Sequence, residues 1–175
     1  MIKKIILGLI TLMVIAGGAL FLINGKDTYD ASRYEATATD GINLNSTLSF
    51  KLPDQFDKAH TLTDETQKVI FVFAKATGHT VKTFLNAQAG DYLSQRKALF
   101  VADISPMPTV IRNTFALPDL RKSPYAVLLI YDKEIAKTFK NESQADKIAV
   151  VTLEKRKVKE VNYVVTEEAL KDALN

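Results

Sequence analysis

The 175-residue chain contains no cysteine, and that absence excludes more than any residue present asserts. Without a thiolate the chain by itself performs no thiol–disulfide exchange and no peroxidase chemistry and carries no lipid on an N-terminal cysteine. A domain outside the cytoplasm would have to be stabilised by packing, with no disulfide to constrain its unfolded state. Histidine is scarce, with two copies, too few to suggest a zinc or haem cluster. No G-x-S-x-G elbow, phosphate loop, G-x-G-x-x-G turn or H-E-x-x-H helix occurs. No cofactor is expected on these grounds.

Charge is nearly balanced. The chain has 23 Lys and Arg against 20 Asp and Glu, and two of the lysines, Lys3 and Lys4, stand at the very start, leaving 21 against 20 for the rest. The one dense basic run, Lys155-Arg156-Lys157 with Lys159, separates two apolar segments and reads as a solvated hairpin turn. No aromatic residues are interleaved with it to stack on bases, so no nucleic-acid partner is expected.

Long hydrophobic runs are confined to one place. Residues Ile5 to Ile23 carry no charge, and as a helix they would be about 28 Å long, close to the thickness of a bilayer core. The segment 1–24 therefore reads as a membrane anchor or, if cut near Ala16-Gly17-Gly18-Ala19, as a signal peptide. Lysines before the run, with Asp27 and Asp30 after it, orient its start toward the cytoplasm. The remainder, membrane-anchored or secreted, is expected on the extracytoplasmic side, which is the periplasm if the cell is Gram-negative. Residues 25–45 are small and polar and read as a tether, with a short strand near Tyr34 to Ala38. Residues 46–175 suffice for one globular domain with a single core.

Within that domain two periods alternate. Val69 to Ala74 is a short continuous apolar run rich in β-branched and aromatic residues, the pattern of a strand covered on both faces. Val81, Phe84, Leu85, Gln88 and Tyr92 follow at helical spacing. Ala98 to Ile104 repeats the strand pattern, Val110, Ile111 and Phe115 suggest a second helix, and Tyr125 to Tyr131 a third strand. Asp132 can cap a helix carrying Ile135 and Phe139. Ile148–Leu153 and Val158–Val165 form a closing antiparallel pair, and Thr166 can cap a final helix whose Glu167 and Glu168 suit the positive end of its dipole.

This order, with three local phrases, resembles the thioredoxin-like superfamily, in particular its peroxiredoxin and thiol-disulfide-interchange branch. Phe50-Lys51-Leu52-Pro53-Asp54-Gln55-Phe56-Asp57-Lys58 leading to Thr61-Leu62-Thr63 is similar to that branch's lead-in hairpin. The strand ending at Phe73-Ala74 stands where the family places its cysteine motif. Ser123-Pro124 resembles the family's cis-proline before a strand. The resemblance implies an α/β fold, a three-layer α/β/α sandwich with a mixed central sheet, preceded here by the N-terminal hydrophobic helix.

At the cysteine position the chain has Lys75-Ala76-Thr77-Gly78-His79-Thr80. The resemblance therefore implies a groove that holds a protein or peptide without reacting with it, formed by Thr77, Gly78, His79, Thr80, Ser123 and Pro124. Asp103, at the carboxyl end of a strand, joins this candidate set, although Ser105, Pro106 and Pro108 after it also suit the start of a helix. His79 in a first helical turn reads more simply as a solvated or capping residue than as an acid or base. A second reading, an enzyme using a bound cofactor or a partner's thiol with His79 or Asp103 assisting, stays open at this point.

Overall fold

The computed structural model describes residues 2–175 and, within the first helix, the side chains of 5, 6, 8–19 and 21. That helix, α1, covers Ile2–Asn24. The anchor expected over 1–24 falls in part on side chains outside the described residues. Among the described residues no helix is long and apolar enough to cross a membrane.

Two sheets follow. The smaller is antiparallel, in the order β1 (Glu35–Ala38), β2 (Leu48–Pro53), β3 (Ala59–Thr61), with Leu52 opposite His60. This is the lead-in hairpin, and β1 is the short strand expected near Tyr34. Tyr34 and Ile42, within the stretch that reads as a tether, are buried. Isolated bridges from Thr47 to Lys157 and from Asp54 to Leu128 tie this sheet to the larger one.

The larger sheet is mixed and begins with β4 (Lys68–Val72), which leads into α2 (Lys75–Asn86). After a single turn, α3 (Tyr92–Gln95), comes β5 (Ala98–Asp103), parallel to β4. A helical stretch made of α4 (Thr109–Ile111), a π-turn (Arg112–Ala116) and α5 (Leu117–Leu120) returns the chain to β6 (Leu128–Ile130), parallel to β5. Then come α6 (Lys133–Phe139), β7 (Ile148–Glu154), β8 (Lys157–Val164) and α7 (Glu167–Leu174). The strand order is β6-β5-β4-β7-β8, with β7 antiparallel to both neighbours.

Strand alternation divides the core into two layers. Ile70 and Val72 face α2 and α7, meeting Val81, Phe84, Leu85, Leu170 and Leu174. Val69 and Phe71 face the other way, toward Phe50 and Leu52 of the small sheet and Ala136 and Phe139 of α6. The caps form as expected: Asp132 accepts from the Glu134 amide and Thr166 from the Ala169 amide. Lys155 and Arg156 both have positive φ, 46° and 65°, as a two-residue hairpin turn requires. Arg156 pairs with Asp64 and Lys159 with Glu154, each at 2.6 Å, so the basic run is partly neutralised by nearby carboxylates.

Three expectations are corrected. Ile111 and Phe115 do not face the core; they are 47% and 64% exposed, whereas Arg112 between them is buried. A π-turn takes an extra residue per turn, so the periodicity that put those two inward slips, and Met107, Leu117 and Leu120 pack inward instead. The third strand is confined to Leu128–Ile130 because the Tyr125 carbonyl and the Val127 amide are taken by the Gln55 side chain. Among the described residues no peptide bond is cis, the one before Pro124 included.

A cleft at the head of the second helix

Val72 ends a buried strand, and two residues later α2 begins with Ala74 in extended backbone as its cap, without a side-chain acceptor. Lys75, Gly78, His79 and Lys82 follow at helical spacings of three and four, which put them on one stripe. That stripe forms one wall of a cleft of about 220 Å³. Phe100, Ala102, Ile104 and Val127 form the floor, and Met107, Leu120 and Tyr125 close it from the far side. The interior is mostly apolar, with the buried Ser123 in its lining, and the rim is charged, since Lys82 pairs with Asp119 across the mouth and Lys75 and His79 are at the surface.

The structure brings together Gly78, His79, Asp103 and Ser123 in this cleft. Gly78 matters for its smallness: a β-carbon there would touch Val72 Cγ2 at 3.7 Å, an ordinary contact, so any larger side chain extends into the space. Ser123 is buried inside, not exposed on a rim. Thr77 and Thr80 are turned to their own helix, their hydroxyls donating to the carbonyls of Ala74 at 2.9 Å and Ala76 at 3.2 Å.

Pro124 lies outside the cleft. It lines a second cavity, of about 450 Å³, with Thr63, Gly90 and Lys97 at the amino ends of β4 and β5, the edge of the sheet opposite to the one from which α2 departs. An X-Pro dipeptide before a strand does not say at which end of the sheet that strand begins. Sequence reasoning also missed Lys82 and Tyr125. Lys82 was legible as the next member of the 75, 78, 79 stripe, whereas nothing local marks Tyr125, whose hydroxyl donates to Asn86 Oδ1 at 3.1 Å.

Asp103 ends β5 beside the cleft. Burial pushes its carboxyl above the usual carboxylate value, and hydrogen bonds from Ser105 with the positive charge of Lys140 offset part of the rise. His60 lies elsewhere, in β3, with Nε2 2.8 Å from Asp54 Oδ2. An ionised carboxylate only accepts, so the imidazole supplies the proton. Burial raises the Asp54 carboxyl, but this bond and the amides of Phe56 and Lys58 outweigh it and leave it below its ordinary value. A depressed folded value contributes stability that is present above the unfolded pKa, near 3.8, and is lost as pH falls through the folded one. Urea midpoints should therefore fall more steeply for the wild type than for Asp54→Asn between pH 5 and pH 3; equal slopes would assign the acid sensitivity to other groups.

The β4–α2–β5 core, the antiparallel β7–β8 pair and the lead-in hairpin together define a thioredoxin-like fold that carries a cleft, and no thiol, at the head of its second helix. No family model and no curated protein matches the chain. Among solved structures it is similar to a candidate protein disulfide isomerase from Bacteroides thetaiotaomicron, at 12% identity over 80% of this chain and 89% of that one, with a TM-score of 0.53. It is also similar to StoA from Bacillus subtilis, at 14% identity over 73% and 96%, TM-score 0.49. Peroxidoxin BcpB from Mycobacterium tuberculosis gives 18% identity over 72% and 89%, TM-score 0.48. At 12% identity the first of these likenesses is one of fold.

Proposed function

We propose that this chain is a redox-inactive thioredoxin-like domain, held on the extracytoplasmic side of a membrane, whose cleft beside α2 binds a protein or peptide segment. The observation that carries this reading is the cleft itself. It stands at the head of the helix where a thiol would act, its interior is mostly apolar, and the chain has no cysteine to put there. A volume of about 220 Å³ admits one or two apolar side chains and not a drug-sized ligand, for which pockets start at about 300 Å³. Lys75 and His79 at the mouth favour a carboxylate next to that anchoring side chain.

Support for the membrane comes from the leader. Ile5 to Ile23 is uncharged, and the described large apolar side chains of α1 are exposed, Met13 at 72% and Val14 at 69%. A run apolar on all sides belongs in a nonpolar surrounding, and Lys3 and Lys4 in the first turn of α1 keep its start in the cytoplasm.

Filling the cleft tests the reading. Gly78→Met places a flexible apolar chain in it from a position whose β-carbon is accommodated, and Ser123→Trp fills it from the far end. Protein that co-purifies with the full chain from detergent-solubilised native membranes should fall about tenfold, a loss of about 1.4 kcal/mol, in both variants. Unchanged capture by two variants that melt like the wild type would remove the cleft from the account.

A further inference from the structure

The segment joining α1 to the domain is clamped. Two residues beyond the end of α1 the Lys26 carbonyl accepts a hydrogen bond from Asn113 Nδ2 at 3.1 Å. Asp27 Oδ1 lies 2.8 Å from Arg112 Nη2, and the Arg112 guanidinium is buried over the Tyr131 ring, 4.7 Å from its centroid. Tyr29 stacks on the same ring from the linker side at 4.6 Å. The chain therefore leaves α1 and is fastened at once to the π-turn.

At and just before the π-turn the domain exposes two large apolar side chains, as it does elsewhere at Leu44, Phe56 and Val165. Ile111 and Phe115, four apart and so on one face of the turn, are 47% and 64% exposed. Asp27 stands three residue steps beyond Asn24, a reach of about 10 Å at most. A helix that ends at the hydrocarbon edge thus keeps the π-turn close to the headgroup layer, which adds about 5–8 Å on each side of the hydrocarbon core.

We infer that Ile111 and Phe115 form a second membrane contact, which seats the domain on the lipid surface beside its own anchor. The inference rests on the reading of α1 as an anchor. The occupant is the bilayer and not another protein, because the stretch that carries the patch is fastened to the point where the apolar helix emerges, next to the surface that helix enters. Ala116 and Leu120, in the same helical stretch, line the cleft. Seating the outer face of this stretch would therefore fix the direction in which the cleft opens relative to the membrane.

A chain with neither cysteine nor tryptophan permits single probes. The full chain, in nanodiscs of phosphatidylcholine and phosphatidylglycerol, is spin-labelled at one site in each of Met13→Cys, Ile111→Cys, Phe115→Cys and, as a control on exposed α7, Lys171→Cys. The ratio of accessibility to oxygen over a water-soluble nickel chelate is expected to be several-fold higher at 111 and 115 than at 171, and highest at 13. Tryptophan at position 115 (Phe115→Trp) should be quenched by brominated lipid, a second readout at a site whose exposure makes misfolding no obstacle. Aqueous values at 111 and 115, or closure of both sites to both probes by covering protein, with 13 still in lipid, would overturn the inference and leave the anchor standing. An aqueous value at 13 would remove both.

Discussion

Phe71→Ala is expected to lower the free energy of unfolding by about 3–5 kcal/mol, as truncation of a fully buried aromatic does when its surroundings cannot collapse. Phe71 is wholly buried in β4, where its ring meets Phe139 of α6 at 5.1 Å, Phe73 at 6.1 Å and Phe50 of the small sheet at 6.4 Å. Two elements distant in sequence, β2 and α6, converge on that ring, so neither alone can move to close the void. A domain of this size has about 5–15 kcal/mol in total, and with no disulfide to limit the unfolded ensemble the loss is felt in full. Urea unfolding followed by circular dichroism measures it, with Phe115→Ala as the exposed comparison, expected to change stability by no more than about 0.5 kcal/mol. A loss at Phe71 no larger than at Phe115 would mean that this face of the sheet is not the core.

Gln55→Leu is expected to cost about 3 kcal/mol although it exchanges side chains of similar size. The Gln55 amide is buried and serves both ends of a gap in the sheet: Nε2 donates to the Tyr125 carbonyl and Oε1 accepts from the Val127 amide, each at 2.8 Å. Leucine leaves both backbone groups buried and unpaired, at about 1–3 kcal/mol apiece. The Gln55 carbonyl also accepts from Arg121 Nε at 3.0 Å, so the lead-in turn holds the whole stretch that walls the cleft. Gln55→Leu should accordingly speed hydrogen exchange at Tyr125 to Val127 before it affects β4. Uniform destabilisation, with no local loss of protection, would contradict this role.

Much of the architecture was legible because short periodic runs leave few alternatives. Ile70 and Val72 on one side and Val69 and Phe71 on the other cannot all be buried unless both faces of β4 are covered, which dictates helices on one side and further structure on the other. Asp132 and Thr166 marked helix starts because their oxygens satisfy amides that a helix leaves unpaired. The π-turn was not legible: Val110, Ile111 and Phe115 fit a 3.6-residue period, and the burial of Arg112 depends on Asp27 and Tyr131, brought to it by the fold. The site was legible in part. Gly78 and His79 followed from the strand-to-helix junction, whereas Ser123-Pro124 looked like one feature and is divided by the fold, with Ser123 inside the cleft and Pro124 beyond it.

The cleft as a holding site is tested most directly by site-specific photocross-linking of the full chain in native membranes, with a photoreactive phenylalanine analogue at His79 on the rim and, separately, at Lys171 on α7. The expected result is a discrete adduct from position 79 that is absent from position 171 and vanishes when Gly78→Met fills the space. The same adducts from both positions, or an adduct from 79 that survives the filled cleft, would contradict the account.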